Sequence, residues 1–206
     1  MKFLQISILL LSLTSCTLAT TKNLVSSPVV NTHFDNPYFS DSNQDYVYKG
    51  KIDVYGNYFG GIFIVKKIGR LHHRIVLTTE LGNKIFDFEL QNDSYKVNYI
   101  LEELDRKIII NTLKRDFQLL VKEHTIVKKK YKNDPYIIYQ SQHKKQLNFY
   151  FINKDTGKLE KLVNTSKRKE KTIVNFESIN KKLAQRIVIE HKNIKLKIEL
   201  KYLDNN

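Results

Sequence analysis

From Asp45 onward the chain alternates apolar and polar residues with a period of two. Tyr46, Tyr48, Ile52 and Val54 are interleaved with Lys49, Lys51 and Asp53. Alternation of this kind places every second side chain on one face, so it predicts a half-buried strand. A second strand is predicted over 59–66, apolar on both faces. Leu71, His73, Ile75 and Leu77 mark a third, Phe86, Phe88 and Leu90 a fourth, and Tyr95, Val97 and Tyr99 a fifth. The gaps hold Gly56-Asn57, Gly69, Gly82-Asn83 and Asn92-Asp93, residue types that accept turn dihedrals. Antiparallel pairing by hairpins follows.

The period then changes. Leu101, Leu104, Ile108, Thr112 and Leu119 recur at helical spacing, widened by Ile109, Leu113, Phe117 and Leu120. One long helix is predicted over 101–122, with Glu102 and Glu103 at its start and Lys114, Arg115 and Lys122 towards its end, a polarity that suits the helix dipole. The stripe reads as a core face. Six further strands are predicted at 136–140, 146–152, 158–163, 171–177, 185–190 and 194–202, with Lys154-Asp155-Thr156-Gly157 as a hairpin turn. The fold class is therefore mainly β with one long helix: about eleven antiparallel strands in a strongly curved sheet, an incomplete barrel wrapped around the helix.

Before Asp45 there is no sustained period. Residues 16–44 are rich in Ser, Thr, Asn and Asp and carry Pro28 and Pro37, so they are expected to form a flexible tether. Residues 1–15 differ again. Lys2 precedes an apolar run from Phe3 to Leu13, which is shorter than the ~20 residues a membrane span needs and fits a secretory signal peptide. Cys16, the only cysteine, follows Leu13-Thr14-Ser15. This Leu-x-small-Cys segment resembles the lipobox of bacterial lipoproteins, which implies cleavage before Cys16 and acylation of its sulfur. A lone thiol in an oxidising compartment is a liability, and a thioether removes it. Two or more acyl chains, as such lipoproteins carry (a palmitate among them), anchor stably.

The chain carries a formal net charge of +14. Richness in Lys, Asn, Ile and Tyr fits AT-rich coding as well as a functional basic surface. The distribution favours the surface: residues 16–126 hold 14 basic and 13 acidic residues, whereas 127–206 hold 20 and 8. An anionic lipid surface is the expected partner of the basic C-terminal half, at ~1 kcal/mol per well-placed cation. An exported, anchored chain would seldom meet nucleic acid, so none is expected as a partner. Lys167-Arg168-Lys169 reads as a solvated loop.

Signatures of catalysis are missing. There is no Gly-x-Ser-x-Gly elbow, no His-Glu-x-x-His and no phosphate-binding glycine loop. His72 and His73 point to opposite faces of a strand and cannot share a metal without a bulge. The expectation is a non-enzyme with no metal and no cofactor.

Two segments carry a resemblance. Tyr55-Gly56-Asn57-Tyr58-Phe59-Gly60-Gly61 looks like a crossing between the first two strands, and Thr78-Thr79-Glu80-Leu81-Gly82-Asn83 like the hairpin between the third and fourth. With the order of strands, helix and strands, residues 45–206 resemble the LolA/LolB-like superfamily of periplasmic lipoprotein carriers and receptors. The resemblance implies an apolar concavity for acyl chains, lined by Tyr48, Ile52, Val54, Phe86, Phe88, Leu196, Ile198 and Leu200. It also implies a membrane contact at Leu81, although Glu80 stands where receptor members carry proline, and the chain lacks their tryptophans. Lipoprotein acyl chains or a periplasmic carrier would be partners, and function would be binding and transfer to the outer membrane. The alternative is a structural or interaction lipoprotein of the cell envelope with a filled core. Thr17 lacks the aspartate that retains some lipoproteins in the inner membrane, so the expected location is the periplasmic face of the outer membrane.

Cys16→Ala should yield an uncleaved or soluble, unlipidated chain. Fractionation of the variant with membranes, together with processing after Ser15, would contradict the lipobox reading.

Overall fold

The computed structural model describes residues 18–30, 33–166 and 169–204 of the chain. The predicted signal segment, Cys16, Lys167 and Arg168 lie outside the described residues. In chain order the strands before the helix are β1 (Val25–Ser27), β2 (His33–Asp35), β3 (Asp45–Val54), β4 (Asn57–Gly69), β5 (His72–Thr78), β6 (Lys84–Gln91) and β7 (Ser94–Ile100). Helix α1 (Lys107–Val121) follows a 3-10 turn at Glu102–Leu104. After it come β8 (His124–Ile126), β9 (Lys129–Asn133), β10 (Tyr136–His143), β11 (Gln146–Asn153), β12 (Leu159–Thr165), β13 (Glu170–Ser178), β14 (Ala184–His191) and β15 (Leu196–Tyr202).

Thirteen strands form one antiparallel sheet in the order β1-β9-β10-β11-β12-β13-β14-β15-β3-β4-β5-β6-β7, and β2 pairs with β8 separately. The sheet is not closed into a barrel, because β1 and β7 end it without pairing to each other. The first and last long strands meet at its centre, where Ile52 faces Ile198 and Val54 faces Leu196. All eleven predicted strands are present. Four short strands, β1, β2, β8 and β9, are additional.

The inward residues of the central strands pack against α1. Ile109, Leu113, Phe117 and Leu120 form one buried stripe on the helix. The Phe117 ring lies 5.8 Å from Phe63, 5.5 Å from Phe86 and 5.6 Å from Phe88, in tilted or edge-on contacts. Aromatic pairs at such spacings add roughly 0.5–1.5 kcal/mol each beyond burial.

Two expectations are corrected. The helix starts later than its stripe suggests, since Arg106 is extended (φ −123°, ψ 129°) and Leu104 reaches the core from the 3-10 turn. Glu102 and Glu103 thus precede the helix; its first turn holds no acid and its last no base, so the expected dipole complement is absent. The second correction concerns residues 16–44. Tyr38 and Phe39 are fully packed in the core, and the Asn36 side-chain amide donates to the Leu120 carbonyl at 3.0 Å. The Tyr38 hydroxyl donates to the Leu159 carbonyl at 2.8 Å. Apolar burial and satisfied buried polar groups make the described part of this segment a piece of the domain rather than a tether.

Neighbouring glycines in β4 separate space from composition. A Cβ on Gly61 (φ 155°) would lie 1.8 Å from the Thr78 carbonyl oxygen, whereas one on Gly60 meets nothing closer than 3.7 Å. Gly61→Ala should force β4 and β5 apart, costing about 2 kcal/mol or more, while Gly60→Ala stays within about 1 kcal/mol of the parent. Urea midpoints of the two variants check this.

Candidate functional site

The residues predicted to line a concavity do converge on one face, but they form its packed filling. Tyr48, Ile52, Val54, Phe86, Phe88, Leu196, Ile198 and Leu200 are all buried in a single cluster with α1. Val54 also borders an open cleft with Tyr55, Tyr58, Glu103 and Arg106. The helix stripe and the inward side chains of the sheet pack against each other there.

Space is found elsewhere. A cleft of about 330 Å³ lies at the C-terminal end of α1. Leu71, His73 and Leu90 come from the β4–β5 turn, β5 and β6; His143, Gln146 and Asn148 come from β10 and β11; Leu119, Val121 and Lys122 come from the helix end. The cleft therefore sits between two regions of the sheet that no ladder joins. Leu71, Leu90, Leu119 and Val121 form its apolar part; the rest of the lining is polar, Arg115, Gln118, Asp93 and Glu123 among it. Leu71 adopts a left-handed conformation (φ 51°), uncommon for a bulky residue and a cost that other contacts must offset.

Beside this cleft, the Glu123 carboxylate receives the Lys67 ammonium on Oε2 at 2.7 Å. Its other oxygen is buried without a hydrogen-bond partner, 3.7 Å from His73 Nε2. His73 Nε2 lies 2.9 Å from the Phe39 carbonyl, and burial pushes its imidazole below the ordinary range. The two adjacent histidines do part as expected: His73 is buried, and His72 is half-buried beside Glu89. Among the described residues no group of three or more His, Cys, Asp or Glu could hold a metal. Nor is any described helix long and apolar enough to cross a membrane.

A second polar contact ties the helix to the sheet. Asp116 on α1 and His191 at the end of β14 meet at 2.9 Å, both buried, and His191 Nδ1 lies 2.8 Å from the Leu196 carbonyl. Asp116 Oδ2 has no hydrogen-bond partner. Sequence reading missed this pair, because residues 75 positions apart give no local signal. Leu81, the expected membrane contact, projects from the β5–β6 turn and is 90% exposed. It does not fold back onto its hairpin.

No family model matches the sequence, and no curated protein does. Solved structures do match. A LolA superfamily protein from Nitrosomonas europaea superposes with a TM-score of 0.51 at 10% identity, covering 78% of this chain and 83% of that one. A DUF1329 family protein from Desulfovibrio piger gives 0.45 at 10% identity, over 81% and 86% of the two chains. A Vibrio parahaemolyticus domain described as an outer membrane lipoprotein-sorting protein gives 0.46 at 9%, over 78% and 83%. The chain has a LolA-like fold: mainly β, one long helix, and a large open antiparallel sheet.

The buried pair makes stability depend on pH. Burial by itself lowers the His191 imidazole, but the Asp116 carboxylate and the Leu196 carbonyl raise it overall above its ordinary 6.5. Burial raises the Asp116 carboxyl, against the pull of His191. Both raised values mean that the folded state holds protons more tightly than the unfolded chain. The His191 contribution is complete below 6.5 and is lost as pH rises through its folded-state value. Urea midpoints should therefore fall as pH rises above about 6.5, and Asp116→Asn should flatten that slope. An unchanged slope in the variant would assign the dependence to other groups.

Proposed function

We propose that this chain is an exported, membrane-anchored envelope protein that takes up acyl chains, or a ligand bearing them, and hands them on without covalent chemistry. The observation that carries this reading is the cleft at the opening of the sheet. Its volume falls in the range of about 300–1,000 Å³ common to small-ligand sites, and Leu71, Leu90, Leu119 and Val121 give it an apolar patch within an otherwise polar lining. Each methylene buried there contributes ~0.8 kcal/mol. The LolA-like fold supports the same choice of ligand.

Under this reading Cys16 bears the anchor, the outer membrane on its periplasmic side is the location, and a soluble carrier delivers the ligand. The exposed Leu81 tip serves as a transient contact with an apolar partner or bilayer, since nothing in its own hairpin covers it. The filled interior specifically favours a second reading. If the packed concave face never opens, the same fold acts as a structural or interaction protein of the envelope, with no lipid transfer.

Leu71→Asn distinguishes the two. Asparagine tolerates the left-handed conformation at this position better than leucine and removes apolar surface from the cleft. Melting temperature should hold or rise, while affinity for a fluorescent fatty acid should fall about fivefold to tenfold. No binding by the parent chain would favour the second reading, and unchanged affinity in the variant would move the site away from this cleft.

A further inference from the structure

The outer face of the sheet carries its own small apolar cluster. Ile138, Phe149 and Val163 lie at its centre, with Tyr131, Tyr136, Leu147, Phe151 and Ile173 packed partly buried around them. The face is covered in part by the N-terminal segment. Leu18 is buried within the cluster and Leu24 packs against it. The Thr20 hydroxyl donates to Glu170 at 2.6 Å, and β1 then pairs with β9 through Val25, Ser26 and Ser27. Residues 18–27 thus form a strap held by a side-chain contact, a ladder and two leucines.

We infer that this strapped outer face of β10–β13 is the surface on which the domain sits against an anionic lipid bilayer. The inference rests on the anchoring proposed above. Cys16 stands only two residues before Leu18, and two extended residues reach about 7 Å. Acyl chains on Cys16 would therefore hold this face at the head groups and leave no slack for the domain to swing. The chemistry of the face matches that position. Lys22 lies on the strap, and Lys144 and Lys145 form the β10–β11 turn. Lys169 and Lys171 flank Glu170, whose Oε1 accepts from Thr20. Lys161 on the same face lies 5.4 Å over the Phe151 ring. Lysines distributed around a strapped apolar face suit an interface with phosphate head groups. The cleft draws on β5, β6, β10 and β11, and five strands separate β12 from β5 at the Leu81 hairpin in the sheet order, so neither needs this face to be free.

The full acylated chain, reconstituted in phosphatidylethanolamine–phosphatidylglycerol vesicles, tests the orientation. Because Cys16 is the only cysteine and would be blocked by acylation, single reporters can be placed by Gln142→Cys, Lys169→Cys, Leu81→Cys and Lys181→Cys and labelled with a fluorophore. A head-group quencher should act at least about threefold more strongly at 142 and 169 than at 81 and 181. Leu18→Asp with Leu24→Asp should peel the strap, levelling the four signals while the chain stays bound through its lipid. Equal quenching at all four positions in the parent overturns the inference, as does stronger quenching at 81. Shielding of 142 and 169 from both lipid and aqueous quenchers would also overturn it, by assigning the face to a second copy. A chain that partitions identically with and without Cys16→Ala overturns the anchoring itself, a result separate from any of these.

Discussion

The architecture depends on one constraint: a sheet of thirteen strands has a broad apolar concave face, and a single helix of fifteen residues must cover it. Ile109, Leu113, Phe117 and Leu120 follow one another at about one turn along that helix, and Phe117 packs among Phe63, Phe86 and Phe88. Each large side chain buried this way contributes roughly 1.5–3 kcal/mol, so the stripe is a main source of tertiary stability. Coverage is still incomplete. Tyr38 and Phe39 from the N-terminal segment plug the remainder, and Asp116 with His191 fixes the helix to the sheet. At the C-terminal end of the helix a cleft stays unfilled, between strands that do not pair with each other.

Most of the longer strands were legible because one face is buried and alternation follows directly; β7 alternates in sequence although none of its residues is buried. The additional strands had no such signal. β9 reads Lys-Lys-Tyr-Lys-Asn, a cationic near-edge strand that lacks an apolar face, and β1 spans three residues. Leu101 and Leu104 match helical spacing, yet they reach the interior through an extended residue and a 3-10 turn. Periodicity counts which residues face inward and cannot separate these routes. Tyr38 and Phe39 lie among Ser, Asn and Asp, and only the tertiary fold shows that the core needs them.

The site was less legible than the fold, for a related reason. Inward-facing residues such as Ile52 and Phe88 were identifiable, but facing inward meant meeting the helix, not a ligand. The cleft is defined by where the sheet stops closing. Leu71, Leu119 and His143 meet there only because the sheet bends, and no local pattern encodes that bend. Function on this account divides over the molecule: the outer face beneath the N-terminal strap for the membrane, and the gap beside α1 for the acyl chain.

The central claim is that this domain binds lipid in a gap beside a filled core. Native mass spectrometry of the full protein, extracted from membranes in mild detergent, tests it most directly. The account predicts a polypeptide beginning at Cys16 that carries covalent acyl mass, together with a lipid adduct that dissociates on activation. A bare polypeptide, with neither covalent acyl groups nor a dissociable lipid, would contradict it.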